Sequence, residues 1–317
     1  MSHAQGYNSF FGWKKETTYG TVANPPNKWA EVESISVSDE RKLIHKPLLG
    51  HVSRRRVVRD KHAPGLTVKM PFNWTGLEQL LEAALGSVVT SGAGPYTHTY
   101  SLASSLPTGF SAYVDIDDNA ITGNHAMLIS GCQIDKVVFS QEMGGTLDIE
   151  LEIAGMEFLT SSRETPSLPT YDAADYGMMT LATINPASAN FELPLRKFKL
   201  EINNNLFKEQ YRLTGAGKRA GFGRAAQRTI MFEAEIEYES NTALEYFKAA
   251  TATDLRFKWV SGTNELTITT PRGYFQGNRP SATESGPVYL TMAYDSLANA
   301  ADNDELSLVL INSTSTV

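Results

Sequence analysis

Thr229–Tyr238 reads Thr-Ile-Met-Phe-Glu-Ala-Glu-Ile-Glu-Tyr, and Thr146–Ile153 reads Thr-Leu-Asp-Ile-Glu-Leu-Glu-Ile. In both stretches apolar residues alternate with polar, mostly acidic, ones. Successive side chains of a strand point to opposite faces, so a period of two is the mark of a half-buried strand. One face would pack on a core and the other would carry a row of carboxylates.

Working outward, the same period recurs. Gly65–Phe72 alternates Leu66, Val68 and Met70 against Thr67 and Lys69. Gln133–Ser140 is a further run; the turn at Glu142-Met143-Gly144-Gly145 should join it to Thr146–Ile153 as a hairpin. Leu195–Ile202, Leu255–Val260, Pro287–Tyr294 and Glu305–Ile311 complete the set. Helices are few. Thr75–Leu85 carries Leu77, Leu80, Leu81, Ala84 and Leu85 on one stripe, with Gly86 as its stop. Thr75 and Glu78 have the spacing of a capping box. A second, weaker helix is expected over Asn241–Ala250.

The order of elements repeats. Glu31–Gly86 reads as strand, long basic segment, strand, short helix, and Leu195–Ala250 reads the same way. Each half then adds Phe110–Ile116 or Leu255–Val260, followed by Thr146–Ile153 or Pro287–Tyr294. The expectation is a mainly β chain of tandem duplicated sandwich or barrel units, each with a short flanking helix and a long loop. The Pro/Ser/Thr-rich stretch Thr160–Thr170 reads as the connector, giving units at residues 1–165, with an N-terminal arm, and 166–317.

Composition narrows the function classes. The 317 residues are 41% hydrophobic and 20% charged, enough for a packed core. A net charge of -7 disfavours sequence-reading nucleic-acid binding. Cys132 is the sole cysteine, so neither an internal disulfide nor a cysteine zinc site can form. No run approaches the roughly 20 apolar residues that span a bilayer, and Met1–Asn8 has no signal-like apolar core; no membrane binding is expected.

The candidate functional residues fall in two groups. The first is acidic: Asp148, Glu150, Glu152, Glu233, Glu235, Glu237 and Glu239. Paired carboxylates can serve glycoside hydrolysis or a metal, but catalysis needs two in unlike surroundings, and these are interchangeable members of rows. A solvated sheet face is the plain reading; a functional acidic surface is the sharper one. The second group is basic: Arg54, Arg55, Arg56, Arg59 and Lys61 in one loop, and Lys218, Arg219, Arg224 and Arg228 in the other. Such loops suit either nucleic acid or an acidic surface on a neighbouring subunit. Gly215-Ala216-Gly217-Lys218-Arg219 departs from a phosphate-binding loop, since Arg219 stands where Ser or Thr is required. The six histidines form no metal-binding pair, and no nucleophile elbow is present. No enzyme activity and no cofactor are expected. A carbohydrate-binding or adhesin-like β-sandwich is the competing class; it would display aromatics, whereas Trp13, Trp29, Trp74 and Trp259 are scattered.

One series of residues carries a resemblance. Lys15-Glu16-Thr17-Thr18-Tyr19-Gly20-Thr21 leads into Val32-Glu33-Ser34. The Gly65–Met70 strand follows a long loop, and the leucine-rich helix ends Ala83-Ala84-Leu85-Gly86. Tyr96-Thr97-His98-Thr99-Tyr100 and the Leu200–Leu206 run come later. In order and spacing this resembles the tail tube proteins of long-tailed, non-contractile bacteriophages. The resemblance implies rings that stack into a hollow tube in the virion tail, assembled in the host bacterial cytoplasm. It implies an acidic lumen that holds the tape measure protein, lets double-stranded DNA pass without specific binding, and meets tail-tip and tail-terminator proteins at its ends. Six β-units per ring is the family's usual count. The duplicated pattern favours three copies per ring, a pseudo-hexamer; six copies of a one-unit chain is the alternative. The acidic stripes would then line the lumen and the basic loops would be arms between rings or subunits.

Overall fold

In a computed structural model of the chain, the alternation of Thr229–Tyr238 becomes an alternation of burial. Ile230, Phe232, Ala234 and Ile236 are buried while Met231 and Glu233 face outward. The structure describes residues 9–39, 43–45, 57–59, 61–116, 126–168, 182–186, 194–212, 217–238, 245, 248, 252–277, 288–298 and 304–315.

The first half contributes β1 (Phe10–Lys15), β2 (Lys28–Ala30), β3 (Ser34–Asp39), β4 (Leu43–His45), β5 (Val57–Arg59), β6 (Pro64–Pro71), α1 (Glu78–Leu85), β7 (Gly86–Ser91), β8 (Tyr96–Leu102), β9 (Phe110–Asp115), β10 (Ala126–Glu142), β11 (Asp148–Ala154) and β12 (Glu157–Ser161). The second contributes β13 (Ala182–Pro186), β14 (Leu195–Asn203), β15 (Leu206–Phe207), β16 (Gly223–Arg224), β17 (Thr229–Glu237), β18 (Thr253–Ser261), β19 (Asn264–Gly277), β20 (Tyr289–Ser296) and β21 (Ser307–Asn312).

A front sheet runs β3–β6–β11–β10–β14–β17–β20–β19, antiparallel throughout. Behind it, the N-terminal part of β10 carries β9, β1 and β2 on one side and β12 on the other. The N-terminal part of β19 carries β18 and β13 on one side and β21, β8 and β7 on the other. The sheets do not close into a barrel; β3 is an edge of the front sheet among the described residues.

The pairings repeat in order. β1, β3, β6, β9, β10, β11 and β12 have the partners that β13, β14, β17, β18, β19, β20 and β21 have in the second half. Each half is hinged on one long strand that crosses from back sheet to front. The crossing is made by a bulge, the device that bends a strand by adding a residue. In β10, Ile129 to Cys132 opposes Ala112 to Phe110; in β19, Thr270 to Gly273 opposes Leu255 to Thr253. Glycine serves each bend differently. Gly131 has φ 60°, which side chains with a Cβ avoid. At Gly273 a Cβ would lie 2.4 Å from Asp295 O and the Tyr294 ring.

The core fills the space between the sheets. Trp13, Trp74, Trp259, Tyr100, Phe139, Phe232 and Phe257 are essentially inaccessible. In the second half Phe198, Phe232, Phe257 and Trp259 form one aromatic cluster with centroids 5.1–6.3 Å apart. Burial at roughly 25 cal/mol per Å2 of apolar area makes such contacts the main favourable term in folding.

The helix differs from its expected start. α1 begins at Glu78, its N-cap is Leu77, and no side chain caps it. Glu78 is fully buried and its carboxylate instead accepts from Gly76 N–H (2.9 Å) and Asn312 Nδ2 (2.8 Å). A tertiary partner at the C-terminus takes the carboxylate that local spacing assigned to the cap. The leucine stripe is buried as expected, and Gly86 terminates the helix with φ 111°. Of the second expected helix, 241–250, only Glu245 and Lys248 lie among the described residues, both helical.

Candidate functional site: a charged sheet face and its flanking loops

The outward face of the front sheet is built by the register. Asp148, Glu150 and Glu152 on β11 stand opposite Ser140, Val138 and Lys136 of β10 on one side and Pro71, Lys69 and Thr67 of β6 on the other. Glu233 and Glu235 on β17 stand opposite Lys199 and Lys197 of β14. Their strand neighbours Ile149, Leu151, Phe232, Ala234 and Ile236 point into the core. The two acidic rows, more than eighty residues apart in the chain, thus lie on one face, separated only by β10 and β14. A shallow concavity of about 810 Å3 runs over it, with Asp148, Glu150, Glu233 and Glu235 in its lining.

The face is mixed in sign. Lys69 Nζ lies 2.5 Å from Glu33 and 2.7 Å from Asp148, and those two groups, Asp148 first, hold its proton well above the ordinary lysine range. Lys136 pairs with Glu152, which raises it likewise. Lys199 meets Glu201 at 2.8 Å, and Glu235 receives Lys197 at 3.1 Å and Arg196 at 3.4 Å. Glu33, Glu142, Asp148, Glu150, Glu152, Glu201, Glu233, Glu235, Glu237 and Asp295 outnumber Lys69, Lys136, Lys197, Lys199 and Arg196 by five charges. Half-exposed pairs of this kind contribute little to stability, about 1 kcal/mol or less each. Their effect is to hold side chains in place and to leave a moderate negative potential. Glu239 lies outside the described residues.

The basic loops behave unequally. Lys218 pairs with Glu157 at 2.5 Å, and Lys61 pairs with Glu209. Arg219 is 6% exposed and donates to Lys208 O, Pro64 O and Gly155 O at 2.9, 3.1 and 2.7 Å. Arg224 and Arg228 donate to Asn204 Oδ1 at 3.0 and 2.9 Å and to Ala103 O at 3.2 Å each. Burial, with Arg224 beside it, pulls the Arg228 guanidinium down to about 10. Expected as arms reaching other subunits, these second-loop residues are engaged within their own chain. Arg54, Arg55 and Arg56 lie outside the described residues, and Arg59 falls within β5.

Three polar clusters were not foreseen. Glu16, 2% exposed, accepts from Gly20 N–H (2.6 Å), Gly131 N–H (2.8 Å) and Ser111 Oγ (2.8 Å). It pins the Lys15–Thr21 segment to the bend in β10. Asp135, in the second irregularity of β10, accepts from Leu206 N–H at 2.8 Å and pairs with Lys208. Asn312 joins Trp74 O (2.6 Å), Glu78 (2.8 Å) and His98 Nε2 (3.1 Å), tying the last strand to the first half. No local spacing signals any of them, because each joins segments far apart in sequence.

The four tryptophans are all buried, which leaves no tryptophan platform for a sugar. Among the described residues no group of three or more acidic, histidine or cysteine side chains is placed to hold a metal. What the fold offers is a broad, charged sheet face on a doubled scaffold, the attributes of a structural assembly protein. The family model for phage tail tube protein matches residues 6–300, and the chain belongs to that family. No curated protein matches it. It is a structural component of the virion tail, a family without enzymatic function.

Proposed function

We propose that three copies of this chain form a ring of six β-units, taking residues 1–165 and 166–317 as the units, and that the rings stack into the tail tube. The observation that carries this reading is the β10–β14 ladder, which joins the two halves edge to edge in one front sheet. A repeat that pairs with its twin inside the chain can pair with the next copy by the same geometry, β19 meeting β3. Closure would remove the open edges that otherwise invite aggregation. Eight front strands per chain give a ring of 24, whose backbone diameter at ~4.8 Å spacing and ~40° tilt is roughly 48 Å. That is wide enough for a DNA duplex.

The charged face would line this lumen. Its excess of carboxylates repels a polyphosphate chain, while interspersed lysines moderate the field, so DNA slides without being held. The same surface holds the tape measure protein before ejection, tail-tip and terminator proteins meet the tube ends, and assembly takes place in the host cytoplasm.

Negative-stain electron microscopy of the concentrated protein tests the reading. Rings or hollow tubes with threefold class averages are expected, and a particle that stays monomeric even with tail tips added overturns it. The lumen assignment has its own test: virions carrying Glu235→Lys with Glu237→Lys should assemble tubes but deliver less DNA, and normal infectivity would count against it.

A further inference from the structure

Two arginines of the second loop share one pair of acceptors. Arg224 and Arg228 donate to Asn204 Oδ1 from Nη1 at 3.0 Å and Nε at 2.9 Å, and each donates through Nη2 to Ala103 O at 3.2 Å. Guanidiniums that bridge the same two oxygens lie side by side. The acceptors themselves are fixed. Asn204 is 1% exposed, and its Nδ2 donates to Ala84 O and Ile134 O at 2.9 Å each. Ala103 N–H donates to Leu85 O at 3.0 Å. The pair therefore stands at the C-terminal end of α1, where the two halves meet.

One guanidinium is enough to give both oxygens a donor; the second brings a charge and little more. Like charges held this close repel, and burial raises the cost. Burial first, and Arg224 beside it, bring the Arg228 guanidinium down to about 10. Counter-charge is scarce. Glu305 acts on both arginines but forms no ion pair with either, and burial holds its own carboxyl above the ordinary value in spite of them. Asp135 is taken up by Leu206 N–H and Lys208. Two cations thus face one unpaired carboxylate.

Donors are left over as well. A guanidinium carries five N–H groups. Among the described residues Arg228 Nη1 and Arg224 Nε meet no acceptor, and both side chains are half-exposed. We propose that Arg224 and Arg228 bind a free tetrahedral oxyanion, phosphate or sulfate, on the N–H groups that the chain leaves unused. The planar fork of arginine matches such an anion, and the shared acceptors set both forks in advance. The anion would offset the repulsion between the two guanidiniums, and the site does not depend on how copies of the chain assemble.

Phosphorus NMR of inorganic phosphate tests it, at about pH 8 where phosphate is a dianion and at fixed ionic strength. The parent should broaden the phosphate line saturably, as a single site per chain. Arg224→Gln and Arg228→Gln, each checked for folding by circular dichroism, should lose the broadening. Glu305→Gln removes the opposing charge and should tighten binding about threefold. A line that stays narrow with the parent, broadening kept by either folded arginine variant, or an affinity unmoved by Glu305→Gln overturns the site. Narrowing of the line on adding a short DNA duplex overturns the free-ion site too, because the pair would then belong to backbone phosphates.

Discussion

The first and second halves share a pairing scheme and differ in what is added to it. The second half is close to the bare scheme: the seven strands of the repeated pairing, the short β15–β16 pair and an aromatic cluster. The first half inserts the β7–β8 hairpin after α1, and that hairpin pairs with β21 of the second. It also supplies Glu16, Asp135 and Glu78 as buried acceptors, two of which receive donors from the second half. On the outward face, β6 offers Lys69 where its counterpart β17 offers Glu233, Glu235 and Glu237. Alternation of apolar residues is thus enough to specify the repeated sheet. The β7–β8 hairpin, Asp135 and Glu78 meet the second half and so specify its neighbour, while Glu16 acts within the first.

That comparison can be broken by asking whether the halves melt apart. Phe232→Ala removes a ring packed against Phe198 and Phe257 and should cost about 3–5 kcal/mol; Leu151→Ala, in the first half, should cost about 2–5 kcal/mol. Because β10 and β14 share a ladder, urea unfolding of both variants should remain a single transition. Two transitions would show that the halves are independent.

Smaller changes probe the junction. Arg219→Ala takes the side-chain donor from Gly155 O and leaves Pro64 O with Gly155 N–H alone, and should cost about 1–3 kcal/mol in chemical denaturation. Asn312→Ala leaves the Glu78 carboxylate and Trp74 O short of a donor and should cost about 1–2 kcal/mol. An Arg219→Ala variant as stable as the parent would mean that the second loop merely rests on the first half.

Acid sharpens the picture within the second half. Burial pushes the Glu265 carboxyl up, but the Lys258 and Thr267 hydrogen bonds outweigh it and hold it below the ordinary value. A carboxyl depressed in the folded state adds stability above its unfolded pKa, and that contribution fades as pH falls through the folded value. Glu265→Gln should therefore flatten the loss of stability below about pH 4.5, read from melts across that range. The effect is small because the group is only partly shielded. Smallest of all, Glu233→Gln on the open face should change stability by less than about 0.5 kcal/mol; a larger loss would mean the rows are structural.

Much of the scaffold was legible because it is written at short range. Within the repeated order of Glu31–Gly86 and Leu195–Ala250, β3 and β14, and likewise β6 and β17, stand at equivalent places in the front sheet. β10 was read only over Gln133–Ser140 and β19 was not read at all, because a bulge resets the alternation in mid-strand and conceals a single long element. The acidic rows were legible as stripes. That Lys136, Lys197 and Lys199 stand between them, and Lys69 on the far side of β11, was not, since cross-strand neighbours come from distant segments.

The sequence by itself determined that this chain is mainly β, that its elements come twice, which side of each strand is buried, and which family it belongs to. These follow from side-chain periodicity and from the order of segments, both local properties. Only the tertiary structure decided that the two acidic rows share one face, that β10 and β14 fuse the halves into one sheet, and that Arg219, Arg224 and Arg228 are spent inside the chain. Those outcomes depend on which backbone carbonyls and charges meet across long sequence separations, and a buried donor or acceptor finds its partner in space, wherever the chain happens to supply one.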